Sequence, residues 1–309
     1  MMKLAFAATV ALCVLVTPTC SAEITAVASF SILGDLVHQV GGDRVTVKTI
    51  VGPDGDAHAY QITPTDAADV ARADIFFVNG LGFEGWMDRL VESTGFQGEL
   101  VVVSRGVPTH ETTEEDFGDD HNLEERDPHA WQSLLNGVLY VRNIERALCK
   151  VDAPGCRQYS ANAAAYIKEL EALDAQIKYQ ISTISPEKRT VITTHDAFAY
   201  FGDAYEVTFL APEGVSTDVE ASAADVARFI EQIVTQGVTA IFVENMSDPR
   251  LIQQIASETG ATIGGELYAD ALSGPSGPAP TYIELFKHNV RALFGTAETE
   301  WSGIAAQGF

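Results

Sequence analysis

The sequence predicts an α/β protein built as two similar lobes with parallel sheets, joined by one long helix. Three observations carry this. Strand and helix patterns alternate early in the chain and begin to alternate again at residue 190. Between the two runs, residues 157–183 carry apolar side chains at steps of three and four, the spacing of one helix. The hexapeptide Ala67-Ala68-Asp69-Val70-Ala71-Arg72 returns letter for letter as Ala223-Ala224-Asp225-Val226-Ala227-Arg228, each copy ahead of an apolar strand. Alanine-rich helices also repeat by chance, but a repeat within the same β-α order marks two related halves. Alternating strands and helices imply parallel sheets covered by helices.

The elements follow in order. Residues 1–22 read as a secretory signal. Lys3 precedes an apolar run from Leu4 to Val16, and small residues lead to Cys20-Ser21-Ala22. Cleavage after Ala22 leaves a mature chain from Glu23. Thr17-Pro18-Thr19 is a poor approach to Cys20 for lipidation, which argues against a lipid anchor. The first lobe is expected over 23–156. Its strands are 24–29, 45–51, 75–78 and 100–103, and its helices 32–40, 66–72 and 86–91. Thr65 is the expected cap of the second helix. Pro128 can open a helix running to about Leu148. The linking helix, 157–183, would be about 40 Å long. The second lobe, 184–309, has strands at 190–194, 207–210, 240–243 and 262–266. Helices follow Phe198 and cover 221–236 and 249–258, and His288 lies on another.

Residues 110–127 break the pattern. Nine of the eighteen are acidic and only Phe117 and Leu123 are sizeable apolar residues. Such a stretch cannot bury enough surface to order itself, so a mobile loop is expected. The whole chain has 43 acidic against 19 basic residues, a formal net charge of −24. That excludes a basic nucleic-acid face and fits a soluble exported protein or one that handles cations. After signal removal two cysteines remain, Cys149 and Cys156. In an exported chain this close pair predicts a disulfide, contributing roughly 2–3 kcal/mol. A zinc pair is the alternative, but the spacing is not C-x-x-C and no third ligand lies near.

His58, His129, His195 and Asp270 each fall on a loop by a strand end or helix start, two in each half. Ligands in open α/β sheets bind at strand ends. Three imidazoles and a carboxylate suit four-coordinate Zn²⁺. No short motif links the four, so taken alone they are as readily four unrelated residues. The words around them add to the pattern: Asp56-Ala57-His58-Ala59-Tyr60 with Thr63-Pro64-Thr65-Asp66; Ala73-Asp74 with Gly82-Phe83-Glu84-Gly85-Trp86; Asp127-Pro128-His129-Ala130-Trp131; Thr194-His195-Asp196-Ala197-Phe198-Ala199-Tyr200-Phe201; Phe242-Val243-Glu244; and Leu267-Tyr268-Ala269-Asp270-Ala271-Leu272. In these stretches and their order the chain resembles the metal-binding receptors of bacterial ABC importers for zinc and manganese, the cluster A-I (cluster 9) solute-binding proteins.

The resemblance implies a rigid linking helix, a metal in the cleft between the lobes, and His58, His129, His195 and Asp270 as its ligands. Manganese-type members carry a carboxylate at the third position, where this chain has His195, and added nitrogen favours zinc. It implies a periplasmic, non-enzymatic monomer that delivers Zn²⁺ as cargo to a membrane permease, with a periplasmic zinc donor as a further partner. The acidic loop resembles the histidine-rich loop of zinc members but offers only His110 and His121 for metal capture. Asp127, Asp196 and Glu244 either hold imidazoles or serve ordinary caps and ion pairs. Trp86 and Trp131 are expected to pack where the lobes meet. The alternatives are a manganese receptor of the same family, an exported zinc hydrolase with Asp270 displaced or acting as base, and a structural or adhesive surface protein. A receptor releases its metal and turns nothing over.

Overall fold

The computed structural model describes residues 24–110, 126–219, 221–238 and 240–295. The expected signal segment, His121 and most of the acidic stretch lie outside the described residues. The first half runs β1 (Ile24–Phe30), α1 (Ser31–Gly41), β2 (Val45–Val51), α2 (Pro64–Arg72), β3 (Ile75–Val78), α3 (Met87–Thr94) and β4 (Glu99–Val102). After α4 (Leu134–Val151) and α5 (Cys156–Ser182) the alternation restarts. It runs β5 (Thr190–Ile192), α6 (Ala199–Tyr205), β6 (Thr208–Leu210), α7 (Ala223–Gln236), β7 (Ala240–Glu244), α8 (Arg250–Thr259) and β8 (Thr262–Leu267), closed by α9 (Tyr282–Phe294). The sheets have orders β2-β1-β3-β4 and β6-β5-β7-β8, parallel throughout. All four β3 side chains are buried and six of the seven in β1, as strands covered by helices on both faces require.

The repeated hexapeptide lies on α2 and α7, which occupy the same place in the two sheet orders, but it is shifted by one turn. In α7 it starts the helix, and Asp225 closes a capping box with Ser222. In α2 it begins three residues in, and the box is Thr63 with Asp66. The cap is therefore Thr63 rather than Thr65. Pro64 supplies the first helical residue, where its missing N–H costs nothing, and the Asp66 carboxylate reaches back to the Thr63 N–H at 2.7 Å.

Two further expectations are corrected. Pro128 does not open a long helix. His129 has ψ 37°, a short 3₁₀ turn covers Ala130–Gln132, and α4 starts at Leu134. Strand β5 stops at Ile192 because the Thr194 N–H turns to the Glu244 side chain, at 2.9 Å.

Helix α5 has 27 residues. Its buried positions Tyr159, Ala163, Tyr166, Leu170, Leu173, Ile177 and Ile181 step by three and four. They lay it along α1 and α4 of the first half and α6 and α9 of the second. One apolar core runs through the first lobe into Phe198, Phe201, Leu267, Tyr282 and Phe286. A smaller core under α7 and α8 holds Phe229, Ile233, Ile241 and Ile252. Cys149 and Cys156 form a disulfide between the end of α4 and the start of α5. Beside it Asp152 Oδ2 accepts from Arg44 and from the Tyr159 hydroxyl, both at 2.7 Å. Gly155 is needed there, since a Cβ would lie 2.2 Å from that carboxylate. No helix among the described residues is long and apolar enough to cross a membrane.

Candidate metal centre

His58 sits on the loop after β2. Asp56 Oδ1 accepts from the N–H of His58 at 2.9 Å and of Ala59 at 3.3 Å, an Asx turn. The Trp86 indole donates to the Ala57 carbonyl at 2.8 Å, so both sides of the His58 backbone are held. His129 sits on the turn before α4. Asp127 Oδ1 accepts from its N–H at 2.8 Å and lies 2.7 Å from Nδ1. The Asn79 amide donates to the Pro128 carbonyl at 2.9 Å.

His195 follows β5, and Glu244 ends the neighbouring β7. Glu244 Oε1 accepts from the N–H of Thr194 at 2.9 Å and of His195 at 3.1 Å, while Oε2 makes a short bond with His195 Nδ1. A carboxylate on Nδ1 holds the proton there and turns the Nε2 lone pair to the site. Asp270 follows β8 and is fully buried; among the described residues neither of its oxygens has a hydrogen-bond partner by strict geometry, and both face imidazole nitrogens.

The four side chains meet. One donor atom from each of His58, His129, His195 and Asp270 lies within 4.8 Å of the other three. His58 Nε2 is 3.2 Å from His129 Nε2 and 3.5 Å from Asp270 Oδ2. Asp270 Oδ1 is 3.6 Å from His129 Nε2, and Oδ2 is 3.2 Å from His195 Nε2. A tetrahedral ion with bonds of about 2.05 Å has ligand atoms about 3.3 Å apart, so these separations fit a divalent cation at the centre. A buried carboxylate that faces only imidazoles costs several kcal/mol unless a positive charge compensates it, and a bound cation supplies that charge, as a protonated ring would.

Burial pushes His58 down to about 3, against the pull of Asp270, so its ring is neutral. Burial would also lower His195, but Glu244 and Asp270 outweigh it and raise that ring well above its ordinary value. Burial would raise Asp270, but His195, His129 and His58 hold it far below the carboxylate range.

Of the three carboxylates considered as imidazole holders, Asp127 and Glu244 contact ring nitrogens. Asp196 has no such contact among the described residues, and its backbone N–H donates to Gly214. His110 is not in the cluster: its ring packs 4.3 Å from that of Tyr200, and Nε2 is 3.4 Å from Asp203. His38 is exposed on α1, and His288 on α9 faces the Glu266 carbonyl. Trp86 does more than pack, since it ties the His58 loop within the first lobe. Trp131 crosses the interface, donating to the Ala269 carbonyl at 2.9 Å, and Gln132 donates to the same oxygen at 2.8 Å. The sequence holds no signal for Gln132 or Asn79, whose partners are 137 and 49 residues away.

Buried imidazoles and a carboxylate, supplied by both halves of a two-lobed α/β fold with a long joining helix, define a metal-binding receptor. Residues 26–295 match the family model described as ZnuA, zinc-uptake complex component A, periplasmic. The chain belongs to that family, the metal-binding receptors of ABC importers. It is similar to the manganese-binding lipoprotein MntA of Halalkalibacterium halodurans, 33% identical over 94% of this chain and 97% of that one. The iron-binding protein YfeA of Yersinia pestis is 32% identical over 86% and 84%. The solved structure of the periplasmic zinc-binding protein TroA from Treponema pallidum superposes with a TM-score of 0.80 at 27% identity, covering 88% of this chain and 98% of that one. One of these relatives is named a lipoprotein, so the expectation against a lipid anchor draws no support from them.

Proposed function

We propose that the chain captures Zn²⁺ as cargo at His58, His129, His195 and Asp270 and delivers it to the membrane permease of an ABC importer. The observation that carries this reading is the convergence of three imidazole nitrogens and one carboxylate, all buried. Three nitrogens favour zinc over the harder Mn²⁺. A manganese receptor is the second reading. It is favoured by Asp270, both of whose oxygens face the cluster, which permits a two-oxygen grip and a higher coordination number.

Metal analysis of protein purified without added metal, followed by chelation and competition titration with both ions, tests the choice. His195→Ala should weaken binding far more than His38→Ala, and equal small effects would remove the site assignment. His195→Glu should move selectivity towards manganese, and an unchanged zinc-to-manganese ratio would mean that cavity shape rules.

On this reading residues 23–156 and 184–309 are the two lobes about a link at 157–183, and the mature protein works as a periplasmic monomer. The signal-segment reading expects the exported chain to start at Glu23 without lipid, and its intact mass reads that directly. The acidic loop, with His110 and His121, gathers zinc or receives it from a donor protein. Deleting 111–126 should leave equilibrium affinity unchanged and slow loading. Identical stopped-flow rates from free zinc and from every donor tried would leave the loop without that role.

A further inference from the structure

The turn between His129 and α4 is bonded to the opposite lobe at an unusual place. Trp131 Nε1 and Gln132 Nε2 both donate to one acceptor, the carbonyl of Ala269, at 2.9 and 2.8 Å. That carbonyl belongs to the peptide that enters Asp270. Two donors on one oxygen fix the plane of that peptide, and with it the direction in which the Asp270 side chain leaves the backbone. Trp131, Gln132, Ala269 and Asp270 are all wholly buried.

The far end of Gln132 shows that packing alone does not account for it. Its Oε1 is buried and has no partner among the described residues. A buried amide with one orphaned end is worse than an apolar side chain of equal size unless its other end is needed. The turn itself is pinned from both lobes. Asn79 donates to the Pro128 carbonyl at 2.9 Å, the Tyr200 hydroxyl to the Asp127 carbonyl at 3.0 Å, and the Tyr282 hydroxyl to the Trp131 carbonyl.

From this arrangement we infer that Trp131 and Gln132 are positioning residues that lock Asp270 to the His129 turn, so that one nitrogen and one carboxylate of the metal site form a preset pair across the lobes. The pair stands 3.6 Å apart, Nε2 to Oδ1. His58 and His195 are held by other means, through Asp56, Trp86 and Glu244. The inference rests on the four-residue site proposed above.

The test uses the full mature chain with Gln132→Met, Trp131→Phe and the double variant. Met keeps the volume and removes both the donor and the orphaned oxygen. Phe keeps the ring and removes the N–H. Asp270→Ala is the reference. Zinc affinity is read by chelator competition, and Co²⁺ is used as a spectroscopic probe whose visible bands report the ligand geometry. Each single variant should lose about tenfold in affinity and the double more, in the range seen when groups behind metal ligands are removed. The Co²⁺ bands should shift in the direction that Asp270→Ala shifts them.

Unchanged affinity in the double variant, beside a large loss in Asp270→Ala, would overturn the inference and leave the site intact. So would a loss of affinity with wild-type Co²⁺ bands, because the role would then be general stability. No loss in Asp270→Ala would instead remove the four-residue site. Should Gln132→Met fail to fold, Trp131→Phe decides by the same two readouts.

Discussion

Glu244→Gln is a one-atom change whose consequence is set by the direction of three hydrogen bonds. Glu244 Oε1 accepts from two backbone N–H groups, of Thr194 and His195, and Oε2 faces His195 Nδ1. A glutamine must place its single oxygen where the two N–H groups point, so its NH₂ is turned to Nδ1. Nδ1 then has to accept, the ring proton moves to Nε2, and the lone pair aimed at the site is lost. Returning the proton to Nδ1 leaves a buried NH₂ without an acceptor, about 1–3 kcal/mol, and the lost charge-assisted bond adds about 1 kcal/mol. The total of about 2–4 kcal/mol is roughly a 30- to 800-fold loss of affinity.

This loss is read at alkaline pH, where the wild-type affinity has levelled off. Below that plateau a second effect opposes it. In the metal-free protein Glu244 and Asp270 keep His195 protonated, against the effect of burial, so wild-type loading must release about one proton. In the glutamine variant one of the two carboxylates that raise the ring is gone, so that release should shrink. Titration calorimetry in buffers of different ionisation enthalpy counts the protons at pH 7, and chelator competition across pH gives the plateau affinities. A variant with wild-type proton release and wild-type plateau affinity would refute the tautomer argument.

Asp127→Asn makes the complementary case. Asp127 uses only Oδ1 towards His129, and its Oδ2 has no partner among the described residues. The asparagine oxygen can replace Oδ1 and keep the His129 tautomer. The loss should be only about 1 kcal/mol, roughly fivefold, and a loss equal to that of Glu244→Gln would contradict the geometry. For the metal-free protein, His195 has a folded pKa above the unfolded value of about 6.5. Its stabilising contribution is therefore complete below that pH and lost as pH rises through the folded pKa. His58, pushed down to about 3, acts in the opposite sense and removes stability as pH falls from about 6.5. The melting temperature without metal should peak near pH 6.5; a continued rise from pH 6.5 to 9 would count against the His195 assignment, and no rise from pH 5 to 6.5 against that of His58. Replacing Cys149 and Cys156 by serine opens a loop of sequence separation 7. It should cost about 2–3 kcal/mol, lowering the melting temperature by about 5–10 °C. An unchanged melting temperature would show that Asp152, Arg44 and Tyr159 alone secure that corner.

The sequence by itself determined what depends on near neighbours. Apolar periodicity set the strands and the 27-residue helix, because each pattern answers to burial on one face at a fixed step. The close cysteine pair implied the bond between α4 and α5. Family-like words around His58, His129, His195 and Asp270 singled out the four side chains that the fold brings together. The tertiary structure decided whatever rests on distant partners. Asp127 and Glu244 hold imidazoles while Asp196 does not, although Asp196 is the carboxylate next to His195 in the chain. The reason is strand order: β7 lies beside β5 and brings Glu244 under His195 from 49 residues away. Helix starts moved for a similar reason, since Pro128 permits a helix but the Asp127 and Pro128 carbonyls, which its first turn would use, accept from Tyr200 and Asn79 instead. Gln132 left no trace in the sequence, because one amide among many gains a role only when the second lobe sets the Ala269 carbonyl against it.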